Sequence, residues 1–121
     1  MTCPGPNARL AGGQIVSRVL KENGINTVFS LAGTTHTNVL DPLDQDGFTI
    51  FPGRSENGTV GAADGYARVT GKCGVALIIA DQGVPNAMAA AEADVMIVLG
   101  APRLSTLAEG RHFGIELKFQ Y

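Results

Sequence analysis

Apolar positions along this chain fall into short runs separated by glycine, and their spacing alternates between helical and extended. Residues 13–23 (GQIVSRVLKEN) place Ile15, Val16, Val19 and Leu20 on one helical face, and Gly24 follows as a left-handed stop. Residues 27–31 (TVFSL) are short and rich in β-formers, and they run into a turn at Ala32-Gly33. Residues 37–43 predict a short helix limited by Pro42, and residues 48–51 (FTIF) a second strand. Residues 55–70 predict a helix built largely from Gly and Ala, closed by Gly71, in which Asp64 and Arg68 can pair one turn apart. Residues 75–80 (VALIIA) are continuously apolar, as in a strand covered on both faces. Residues 87–93 are helix-prone, and residues 95–99 (VMIVL) form a further buried strand. The alternation predicts an α/β fold: an open parallel sheet with helices on both faces. Residues 1–11, with two prolines and no period, read as a tail to a domain spanning 12–121, and residues 101–121 give no clear element.

Composition narrows the function classes. A length of 121 residues fits one domain, and 17% charged with 45% hydrophobic residues is ordinary for a globular protein. A net charge of −2 with scattered Lys and Arg leaves no basic footprint for nucleic acid. No apolar stretch is long enough to span a membrane, and residues 1–7 have no signal-sequence pattern, so a cytoplasmic location is expected. Cys3 and Cys73 are far apart and read as free thiols, while His36 and His112 are single; no metal site built from protein ligands is expected.

Parallel sheets carry their functional loops beyond the carboxyl ends of the strands. Here those loops are residues 32–36, 53–57 and 81–86. Glu56 is the only carboxylate among residues 51–63, where a strand gives way to a helix. Such a glutamate either complements the helix dipole or serves as a general acid/base, and spacing does not choose between these roles. No dinucleotide fingerprint follows a strand and no P-loop is present; Gly71-Lys72-Cys73-Gly74 follows a helix and reads as its stop and turn.

Three blocks carry a family resemblance: RSEN (54–57), AADGYAR (62–68) and TGKCGV (70–75). They are similar to RHEQ, AADGYAR and TGKxGV of the aminopyrimidine-binding (PYR) domain of thiamine-diphosphate-dependent enzymes, in the acetohydroxyacid synthase and 2-hydroxyacyl-CoA lyase-like superfamily. Upstream, the segment through Gly24, Val28 and Phe29 resembles that family's LKxxGVxxVFGxPG opening, with Gly33 on its last glycine. Downstream, Gly83 and Asn86 fall on the glycine and asparagine of SGPGxxN, and IVLGAPR (97–103) resembles the next strand and loop. The resemblance implies that Glu56 hydrogen-bonds N1′ of the cofactor's aminopyrimidine ring, favouring the imino tautomer that removes the C2 proton of the thiazolium. The resulting ylide attacks a 2-keto acid or acyl donor. It also implies cofactor-binding roles for Gly33, Gly83 and Asn86.

The departures are specific. Ser55 stands where the family has histidine, Asn57 where it has glutamine, and Ser30 and Ala32 replace a glycine and a proline. Ala80, Asp81 and Gln82 replace Ser, Gly and Pro of the SGPG loop. Mg²⁺ and diphosphate are bound in that family by a second domain carrying GDG…N, and no GDG occurs here. The chain therefore reads as truncated at its C-terminal end. It is expected to supply the aminopyrimidine side of a lyase or transferase, with a diphosphate-binding domain or subunit, or a homo-oligomer, completing the site. The alternative is a non-catalytic remnant that keeps the fold without binding cofactor; an unrelated flavodoxin-like module is opposed by the central blocks. Acetolactate synthase, 2-hydroxyacyl-CoA lyase and 2-keto acid decarboxylase substrates are not separated by these motifs.

Overall fold

The structure, a computed structural model, describes residues 10–33, 36–79, 83–90 and 96–99. In chain order the elements are α1 (Gly12–Glu22), β1 (Thr27–Ser30), α2 (Thr37–Gln45), β2 (Thr49–Pro52), α3 (Glu56–Thr70), β3 (Gly74–Leu77), α4 (Gly83–Met88) and β4 (Met96–Leu99). All neighbouring strands pair in parallel, in the order β2-β1-β3-β4. The chain thus moves one way from β1 to β2 and then back across β1 to β3. The usual handedness of such crossovers puts α2 and α3 on opposite faces.

The burial pattern agrees. Val28, Val75 and Leu77 point to the face where Leu20 of α1, Leu43 of α2 and the buried Phe48 pack. Ala76 and Ile78 point to the other face, against Val60 and Ala63 of α3 and Ala87 of α4. Phe29 packs on that second face too, stacked on Phe51 at 5.4 Å and tilted against Tyr66 of α3 at 5.7 Å.

Local chemistry explains where the elements stop. Gly24, at φ 73°, takes the left-handed conformation after α1, and Ile25 N–H returns to the Leu20 carbonyl at 3.0 Å. Pro42 lies inside α2, where it cannot donate to the Asn38 carbonyl four residues earlier. That carbonyl instead faces Gly13 of α1, leaving no space for a side chain there. Ser17, fully buried on α1, donates to Asp46 just beyond α2 at 2.5 Å. Pro52 ends β2, an edge strand, where a missing donor is tolerated.

Several expected boundaries shift. The first strand stops at Ser30 rather than 31, and the second runs 49–52, with Phe48 buried just ahead of it. The apolar run 75–80 is only partly strand: pairing covers Gly74–Leu77, and Ile78 stays fully buried after leaving the ladder. Residue 80 lies outside the described residues. The fourth helix begins at Gly83, not 87, and ends at Met88; residues 91–93 of the expected helix lie outside the described residues. Pro85 falls in its first turn, where amides have no helical acceptor, so it is compatible with helix. The expected tail is outside the described residues up to residue 9, as is the segment 100–121.

Candidate functional site

The carboxyl ends of β1, β2 and β3 are tied level. Gly53 N–H donates to the Ser30 carbonyl at 2.7 Å, and Leu31 N–H to the Leu77 carbonyl at 2.9 Å. Connections leave β1 and β3 in opposite directions at this edge, which is the switch point where open parallel sheets bind ligands.

The α3 N-terminus is built at the same edge. Ser55 is extended (φ −152°, ψ 155°), and its hydroxyl accepts from Gly58 N–H at 3.1 Å. Its carbonyl takes both Thr59 N–H (2.9 Å) and Thr59 Oγ1–H (2.7 Å). This double anchoring fixes Glu56 as the first residue of the helix. Gly53 admits no side chain because Thr59 Oγ1 occupies that position.

Glu56 is half-buried, and its side chain lies along Gly83, the first residue of α4. A Cβ on Gly83 would stand 3.1 Å from Glu56 Cγ and 3.2 Å from Oε1, so the glycine makes room for the glutamate. Among the described residues the carboxylate forms no ion pair or hydrogen bond. The helix N-terminus behind it favours negative charge. The structure therefore combines a helix-start glutamate with a neighbour that shapes its side-chain position.

Gly33 lies on the β1–α2 connection, between Ile79 and His36; a Cβ there would stand 3.2 Å from Ile79 Cγ1 and 3.5 Å from His36 Nδ1. Gly33 N–H donates to His36 Nδ1 at 3.0 Å, and His36 N–H donates to the Gly33 carbonyl at 3.0 Å. Asn86 is exposed on α4, three residues beyond Gly83. The structure thus brings Glu56 and Gly83 into contact, sets Gly33 on the adjoining connection, and leaves Asn86 exposed on α4.

His36 is the residue that the sequence did not mark. Its ring is fully buried, and Nε2 has no hydrogen-bond partner among the described residues. Burial pushes its pKa below the ordinary histidine value, against a smaller opposing pull from the Ile78 backbone, which lies close without completing a hydrogen bond to Nε2. The ring is therefore neutral at neutral pH. Ser30 Oγ, at the end of β1, is likewise buried without a partner among the described residues.

A cleft of about 170 Å³ lies at the opposite, amino-terminal edge, lined among others by Asn26, Tyr66, Lys72 and Cys73. It includes neither Glu56 nor Gly83. Burial raises the Cys73 thiol pKa there. No group of three or more His, Cys, Asp or Glu among the described residues could hold a metal ion. None of the described helices is long and apolar enough to cross a membrane.

An open parallel α/β sheet with a carboxylate at its switch point defines a class of ligand-binding domains rather than one activity. Sequence comparison narrows it. Residues 10–103 match the family described as "Thiamine pyrophosphate enzyme, N-terminal TPP binding domain", and the chain belongs to that family. Family membership implies use of thiamine diphosphate. Among curated relatives, the chain is 36% identical over 110 residues to the acetolactate synthase large subunit IlvG of Mycobacterium tuberculosis, covering 85% of this chain and 20% of that protein. It is 35% identical over 106 residues to 2-hydroxyacyl-CoA lyase 2 of Danio rerio, covering 83% and 17%. It is 38% identical over 81 residues to a probable 2-ketoarginine decarboxylase, AruI, of Pseudomonas aeruginosa, covering 67% and 14%. The chain spans about a fifth or less of the length of these relatives.

Proposed function

We propose that this chain supplies the aminopyrimidine side of a thiamine-diphosphate site in an acetolactate synthase-like or 2-keto acid decarboxylase or lyase-like enzyme. A separate diphosphate-binding domain or subunit, or a second copy bearing one, would provide Mg²⁺ and the diphosphate contacts, in the cytoplasm. The observation that carries this reading is Glu56, a half-buried carboxylate without an ion pair or hydrogen bond among the described residues, laid against Gly83 at the switch point. A ring nitrogen fits that carboxylate better than a metal would, because no group of three or more His, Cys, Asp or Glu able to hold a metal ion occurs among the described residues.

The bound cofactor would supply the carbanion-stabilising chemistry that side chains lack. The protein's part is positioning and proton handling. Glu56 would hold a hydrogen bond at N1′ of the aminopyrimidine ring, with its Oε atoms as the proton-accepting pair. Gly83 keeps Cβ atoms out of the space that the Glu56 side chain uses. Gly33, whose N–H is already committed to His36, would contribute a close backbone surface rather than an amide hydrogen bond. Asn86, exposed on α4 three residues beyond Gly83, would approach the site from its solvent side.

A second reading, a remnant that folds without catalysing, draws support from Ser55. Where relatives of this resemblance carry histidine, this residue is spent on capping α3. One experiment separates the two. In a complex with a compatible diphosphate-binding partner and Mg²⁺, C2-proton exchange on the cofactor is compared between wild type and Glu56→Gln. The site reading expects a loss of about 10²- to 10⁴-fold, the scale of a lost acid/base. Equal rates support the remnant.

A further inference from the structure

The buried ring of His36 does something that its volume alone does not explain. An apolar side chain of similar size would fill the same space without burying an N–H that has no partner among the described residues. What an apolar side chain could not supply is the acceptor for Gly33 N–H at 3.0 Å. That bond also fixes the ring chemically. Accepting at Nδ1 requires the lone pair there, so the neutral ring carries its proton on Nε2. The reciprocal bond from His36 N–H to the Gly33 carbonyl closes the turn from the other side. Ile79, beyond the end of β3, lies beside the glycine, so that a Cβ there would stand 3.2 Å from its Cγ1.

We infer that His36 is a positioning residue: its Nδ1 clamps the Gly33 peptide at the carboxyl end of β1 and holds that wall of the switch point against Ile79. This rests on the reading of the switch point as the cofactor's place, and it adds to that reading a residue that itself touches nothing reacting. A protonated ring would place hydrogen on both nitrogens and lose the acceptor, so the clamp exists only in the neutral Nε2–H form.

The test uses the full chain, labelled with ¹⁵N at histidine and glycine. Long-range ¹H–¹⁵N spectra report the His36 tautomer, and hydrogen exchange reports protection of the Gly33 amide. Wild type is expected to show the Nε2–H tautomer and a protected Gly33 amide. In His36→Leu that amide should exchange faster by about tenfold or more, the scale of one buried hydrogen bond. His36→Asn places its side-chain oxygen where Nδ1 stood and should restore protection. An Nδ1–H tautomer in wild type, or a Gly33 amide exchanging as fast as an open loop, overturns the inference even if His36→Leu fails to fold. Equal protection in all three forms overturns it as well. In the complex with a diphosphate-binding partner, thiamine-diphosphate affinity should fall in His36→Leu and recover in His36→Asn. Unchanged affinity with an unprotected Gly33 removes the link to the cofactor, whereas the role of Glu56 stands or falls on its own exchange measurement.

Discussion

On one face of the sheet, Leu20, Leu43, Phe48 and Leu77 fill the space under α1 and α2. On the other, Val60, Ala63, Ala76 and Ala87 let α3 and α4 lie close to the strands. There Gly74 touches the Ala63 carbonyl so closely that no Cβ fits between them. The first face is filled mostly by Leu and Phe side chains, and its close approach, at Gly13, lies between the helices α1 and α2. The second, apart from Ile78 and Phe29, uses smaller side chains and brings α3 against the backbone of β3 itself. That approach brings the starts of α3 and α4 together, so Glu56 meets Gly83. The face that carries the candidate chemistry is the one where helix and strand meet through backbone, at Gly74.

This contrast can be broken from either side. Leu43→Ala removes a side chain that is 1% exposed and should cost about 2–5 kcal/mol, read as a lower urea midpoint. Gly74→Ala enlarges the other face, where the obstacle is a carbonyl that cannot rotate away; a cost of about 1–3 kcal/mol or more is expected by the same measurement. A Gly74→Ala variant as stable as wild type would erase the distinction.

Gly83→Ala sharpens it further. The neighbour here is the far part of a flexible side chain, so folding should be nearly unaffected while Glu56 is displaced by a few tenths of an ångström. C2-proton exchange in the complex should slow by about tenfold, equivalent to about 1.4 kcal/mol. A loss of stability in place of a loss of exchange would make Gly83 a packing residue only. The smallest effect is expected at Ser55. Replacing it with Ala removes the hydroxyl that accepts from Gly58 N–H and should cost about 1 kcal/mol in thermal or urea unfolding.

The layered fold was legible because each of its strands is a compact apolar run and each early helix ends at a glycine. Hydrophobicity reports burial rather than pairing: Ile78 is as buried as Val75 but lies outside the ladder. The start of α4 was hidden by Pro85, whose usual meaning as a breaker does not hold in a first turn. The position of Glu56, an isolated carboxylate in the first turn of a helix, was legible; its role was not, because spacing does not choose between dipole compensation and acid/base work. Its contact with Gly83 was not, since those residues are far apart in sequence and only the crossover over β1 joins them. His36 gave no local signal because its partner atom is a backbone amide, and any residue type presents one.

The central claim is that the Glu56 carboxylate meets the aminopyrimidine ring. It is tested most directly by ¹⁵N NMR of thiamine diphosphate labelled at N1′, bound with Mg²⁺ to the complex of this chain and a diphosphate-binding partner. The N1′ resonance should shift on binding to wild type and return towards its free position in Glu56→Ala, with the cofactor still bound. An N1′ resonance identical in the two complexes would contradict the claim.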